Sequence, residues 1–123
     1  MSESIAQFLQ RLAARPDDVA FEETIAVIEA HYDYTPTTFR NGLGADAVVN
    51  AAGTNAGSCR IFAFAQLHDL TPAQTLACFG RFYREDVLQN PQGTDHANIR
   101  TFMRDGWAGI AFESAPLRAK TAD

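Results

Sequence analysis

The segment Asn50 to Phe64, NAAGTNAGSCRIFAF, sets two glycines and several side-chain amides and hydroxyls directly ahead of an apolar run. At a loop-to-helix junction such residues leave backbone N–H groups free, and a phosphate or carboxylate accepts hydrogen bonds well there. Asn50, Asn55, Gly57 and Ser58 are therefore candidate ligand-binding residues, with Arg60 close enough in sequence to add positive charge. The plainer alternative is that Ser58 caps the helix while the glycines permit a tight backbone path. The loop lacks the lysine of a P-loop and follows no clear strand, so it carries no nucleotide-binding fingerprint.

Asp95, His96 and Arg100 make the second candidate group. His31, His68 and His96 all stand near acids, Asp33, Asp69 and Asp95. A metal or general-base site would need two such clusters to converge, and no HExxH or HxxxH spacing puts two imidazoles on one helix face. No metal and no cofactor are expected. Asp95-His96 stands out because a loop entering a helix can hold both side chains toward a cleft. Cys59 and Cys78 fall in apolar surroundings without ligand spacing, which reads as reduced, buried thiols. A thiolate at a helix start can still have a lowered pKa, so an enzyme using Asp95, His96 and Cys59, a hydrolase or transferase, is the alternative to a binding role.

The elements that must position these groups read as helices. Ile5, Phe8, Leu9 and Leu12 give an amphipathic first helix, stopped by Pro16. Asp17 or Asp18 caps a second, whose stripe is Phe21, Ile25, Ile28 and Tyr32. A third begins at Ser58 and is apolar on most of its circumference, as a central helix should be. Thr71-Pro72-Ala73-Gln74 is a capping box with proline at the first helical position. The helix it launches carries Leu76, Phe79, Tyr83 and Val87 and ends at Asn90-Pro91. The last starts near Thr94 or Asp95 and closes with Gly106, which brings Trp107 over Phe102. Between Tyr34 and Gly57 the pattern weakens, Asn41-Gly42 signals a turn, and a short strand or hairpin or one or two helical turns fit equally. The expected architecture is a mainly α single domain over residues 1–113, about five helices with at most one hairpin or strand pair, and a loose tail over 114–123.

The chain has 123 residues with a net charge of -5, enough for one aromatic-rich core and of the wrong sign to recruit nucleic acid or anionic lipid. Arg81, Arg84, Arg100 and Arg104 are interleaved with Glu85, Asp86 and Asp105, so ion pairing explains them. The longest apolar run is too short to cross a bilayer, and the first residues lack the pattern of a secretory signal, so a cytoplasmic location is expected.

The segments YDYTPTTFRNG, NAAGTNAGSC, QTLACFGRFYREDVLQNPQGTDHANIRTFM and GWAGIAF together resemble the HopJ type III effector family, over about Phe21 to Phe112. The resemblance implies a small domain named from a plant-pathogen secretion context. It brings no catalytic residues with it. A bacterial helical domain is thus expected to act by binding a protein partner or a small anionic ligand in a polar cleft near Asn50 to Arg60 and Asp95 to Arg100.

Overall fold

The computed structural model describes residues 3–120. Helix α1 (Ile5–Ala14) starts on a reciprocal cap: Ser4 Oγ accepts from the Gln7 N–H and Gln7 Oε1 from the Ser4 N–H, both at 3.1 Å. Its Phe8 and Leu12 are fully buried, and a short 3-10 turn at Pro16–Asp18 redirects the chain. Helix α2 (Phe21–His31) is entered through Ala20, whose N–H donates to Glu23 Oε1 at 2.9 Å, rather than through an aspartate cap. It runs straight into strand β1 (Tyr32–Tyr34), so Tyr32 belongs to a strand and not to the helical stripe.

Strands β2 (Phe39–Asn41) and β3 (Val48–Asn50) form a hairpin, settling the ambiguous stretch as extended. Helix α3 (Ala56–Leu67) is the central element, with Cys59, Ile61, Phe62, Ala63, Phe64 and Ala65 buried. Helix α4 (Pro72–Ala77) starts on the expected Thr71–Gln74 capping box. The single helix expected from Thr71 to Gln89 is broken at Gly80, which has φ +61, and resumes as a π-helical segment at Phe82–Val87. The break lets α2 approach, for a Cβ on Gly80 would lie 2.5 Å from the Phe21 backbone nitrogen. Helix α5 (Ala97–Asp105) leads through a 3-10 turn (Gly106–Gly109) into β4 (Ile110–Phe112), and β5 (Leu117–Ala119) follows.

The mainly α architecture with one hairpin is corrected. Among the described residues five strands form two antiparallel sheets, a pair β1-β5 and a three-stranded β3-β2-β4, beside about six helices, so the fold is mixed α and β. Each strand is three residues long, too short to show the alternation by which a strand is read from sequence. Within the stretch expected to form a loose tail, Leu117 pairs with Tyr34 and Ala119 with Tyr32, while residues 121–123 lie outside those described.

Phe62 is the centre of the core. Its ring meets Phe102 at 5.0 Å, Phe79 at 5.4 Å, Phe39 at 6.1 Å and Trp107 at 6.5 Å, joining α3 to α5, to the turn that follows α4 and to the three-stranded sheet. Trp107 packs edge-on to Phe102 at 5.0 Å behind Gly106. This packing fixes where the starts of α3 and α5 stand.

Candidate functional site

Both helices begin at the same place, on one side of a cavity of about 360 Å³. Each is preceded by a non-glycine residue in the left-handed region, Asn55 (φ +49) before α3 and His96 (φ +52) before α5. Asparagine and histidine are among the side chains best tolerated there. Neither start has a side-chain cap. The hydrogen-bonded ladders open with Cys59 N–H to Asn55 O and Arg100 N–H to His96 O. The amides of Ala56, Gly57 and Ser58, and of Ala97, Asn98 and Ile99, thus precede the ladders as the orphan donors of two helix N-termini. All of these residues but Ala56 line the cavity.

A buried amide network holds the two starts together. Asn50 Oδ1 accepts from Asn55 Nδ2 at 2.7 Å and from Asn98 Nδ2 at 2.8 Å. Asn98 Oδ1 accepts from Asn41 Nδ2 at 3.0 Å and from Asn50 Nδ2 at 3.1 Å. Asn41 and Asn50 come from β2 and β3, so the hairpin fastens both helices. Asn41 Oδ1 alone of these amide atoms is buried without a partner; the bonded ones resist rearrangement, because a broken bond would leave a further polar atom without water.

The other wall is aromatic. Phe21, Phe79 and Phe82 line it, with Phe21 edge-on to Phe82 at 5.0 Å and Phe82 stacked obliquely on His96 at 5.2 Å. The wide turn of the π-helical segment puts residues four apart on nearly one face. Phe82 and Asp86 therefore both reach His96, whose Nε2 is 3.0 Å from Asp86 Oδ2.

The expected site residues divide into three groups. Asn55, Gly57, Ser58 and His96 line the cavity, and Asn50 stands behind it. Asp95 and Arg100 pair with each other at 2.6 Å without lining it, and that bond holds the Asp95 carboxyl below its usual pKa. Arg100 also donates to Asn90 O at 2.9 Å. Arg60 is outside the cavity, its guanidinium 4.3 Å from the centre of the Tyr34 ring and 3.8 Å from a Glu29 oxygen. Ser58 is the third residue of α3 rather than its cap. Cys59 is buried beside Tyr34, does not line the cavity, and burial raises its pKa. It is no activated nucleophile.

Asn98, Asn41, Asp86 and the phenylalanine wall did not come out of the sequence as site residues. Asn98 had one readable signal: it stands four residues before Phe102, on the inward face of α5, where a polar side chain must find a buried partner. Asp86, Asp95 and His96 also bring one potential ligand atom each within 4.8 Å of one another. Both carboxylates already have partners, since Asp86 contacts His96 and Asp95 pairs with Arg100.

The family model for the HopJ type III effector protein matches residues 5–117. The chain belongs to the HopJ family. A crystal structure of VPA0580, a protein of unknown function, is similar at 53% sequence identity and a TM-score of 0.92, covering 98% of this chain and 97% of that one. No curated protein matches the chain. For a HopJ domain, then, the cavity and its chemistry are the route to function. No helix among the described residues is long and apolar enough to cross a membrane.

Proposed function

We propose that this HopJ-family domain acts by binding a small anionic ligand in the cavity between the starts of α3 and α5. One observation carries the reading: two uncapped helix N-termini open into the same concavity. Each contributes roughly half a positive charge and up to three free N–H donors, so together they suit an anion that displaces water from both. Ser58 adds a hydroxyl at the lining and Asn55 and Asn98 add amides. Titrating the labelled protein with phosphate and with acetate is expected to move the amide resonances of Gly57, Ser58 and Ala97. If those signals stay still while signals elsewhere move, the anion reading fails.

An enzymatic role, hydrolase or transferase, is the second reading, and the contact of His96 with Asp86 favours it. An imidazole oriented by a carboxylate at a cavity wall is the usual form of a general base. In this reading Asp86, which was not among the sequence candidates, orients His96, while Asp95 pairs with Arg100 and Cys59 has no role. The location goes with both readings as cytoplasmic, supported by two free, buried cysteines. Export by a type III system rests on the family's description alone.

A further inference from the structure

We infer that the ligand of this cavity is a small aromatic monocarboxylate, an inference that rests on the anion-binding reading above. Charge sets the first limit. No lysine or arginine lines the cavity, and its positive character comes from two helix starts, which sum to about one unit charge. Arg60 and Arg100, the cations nearest in sequence to those starts, are engaged with Glu29 and Asp95. Asp86 and Asp95 flank His96, so a second negative charge on the ligand meets two carboxylates. A carboxylate matches this balance, whereas a dianionic phosphate exceeds it.

The aromatic wall sets the second limit. Phe79 is 2% exposed and forms a floor, while Phe21 and Phe82 are only partly buried and present ring surface at the cavity. Phe21, Phe82 and His96 form a continuous row of rings at 5.0 and 5.2 Å spacing that runs up to the start of α5. A planar ring lying on that row buries apolar surface and gains edge-to-face contacts, with its carboxylate directed at the helix starts. Gly57 makes this geometry possible, since a Cβ there would lie 2.9 Å from Phe21 Cζ. The volume, about 360 Å³, is at the small end of ligand cavities and admits one ring with a short acid arm.

The test titrates the full chain with benzoate, benzamide, acetate, inorganic phosphate and phenyl phosphate, following the Gly57, Ser58 and Ala97 amides. Benzoate is expected to bind at least about tenfold more tightly than acetate, phenyl phosphate and benzamide, a factor of ten being a modest gain for one buried ring. Phe82→Leu is expected to lower benzoate affinity by a clearly larger factor than acetate affinity, removing most of the advantage of benzoate over acetate. Acetate and phosphate moving the amides as strongly as benzoate would overturn the aromatic inference and leave anion binding standing. Benzamide matching benzoate, or no response to any anion, overturns both.

Discussion

Asn50 illustrates how a single side chain can tie a site to a fold. Its oxygen accepts from two asparagines and its nitrogen donates to Asn98, so donor and acceptor ends are both specified. Asn50→Asp preserves the shape and removes the donor, setting a carboxylate oxygen against Asn98 Oδ1 in a place where Asn50 is 2% exposed. The expected loss is about 2–4 kcal/mol of stability, from the lost donations of Nδ2 to Asn98 Oδ1 and, at longer range, to the Phe39 and Val48 carbonyls, and from a poorly solvated acid. Anion affinity at the cavity should fall as well, because the new charge stands behind both helix starts. Urea unfolding measures the first effect and the acetate titration the second; an unchanged unfolding midpoint would remove the network from the account. At this scale the sequence was legible where residue type speaks locally. Asn55, Gly57, Ser58 and His96 were readable because glycine, amides and a histidine cluster at loop ends. Asn98, Asp86 and Phe82 were not, because their roles depend on partners 48, 10 and 61 positions away, Asn50, His96 and Phe21.

Elements are placed here by breaks as much as by helices. Gly80 and Gly106 have nearly the same φ, +61 and +63, but different surroundings. A Cβ on Gly106 meets nothing within 4 Å, whereas one on Gly80 would strike the Phe21 backbone nitrogen. Gly106, with ψ -155, sits in a backbone region essentially reserved for glycine, so Gly106→Ala should cost about 1–3 kcal/mol from backbone strain alone. Gly80→Ala should cost roughly 1–3 kcal/mol more, because backbone cannot swing aside as a side chain can. It should also loosen the contact of Phe21 with Phe82 at the cavity wall. Thermal unfolding of the two variants side by side gives the comparison, and equal losses would show that the close approach of α2 does not matter. The capping box at Thr71 was legible because such caps are written within four residues, whereas the one at Ser4, of the same form, emerged only with the structure. The break at Gly80 was not legible, since Leu76, Phe79, Tyr83 and Val87 keep helical spacing across it. The strands were hidden for a related reason: β1 and β5 are joined across 85 positions by three residue pairs, Tyr32 with Ala119 to Tyr34 with Leu117.

At the scale of the whole molecule, α3 is held at both ends, by the asparagine network at its start and by His68 at its end. His68 Nε2 is 2.8 Å from the Tyr32 hydroxyl, and its ring packs on Phe64 at 4.6 Å, so the end of α3 is fixed to the strand pair β1-β5. Burial lowers the pKa of His68 from 6.5, and the charge of Asp69 opposes the shift only in part. The unfolded chain then takes up a proton at this residue at a higher pH than the folded one does. Between the two pKa values the unfolded state binds more protons, so stability rises with pH across that window. The contribution is fully present above about 6.5 and is lost as pH falls toward the lower folded value. Glu3, whose pKa is lowered by its hydrogen bond to Arg11, has the same sign but acts near 4.5 and below. Acid unfolding should therefore show a loss beginning below about pH 6.5 and a separate carboxylate loss at lower pH. His68→Gln, which can still bond the Tyr32 hydroxyl, should abolish the upper loss and leave the lower one. Unfolding free energies measured from pH 8 to pH 4 in both proteins decide it, and an upper slope that survives in the variant would assign it to a different group.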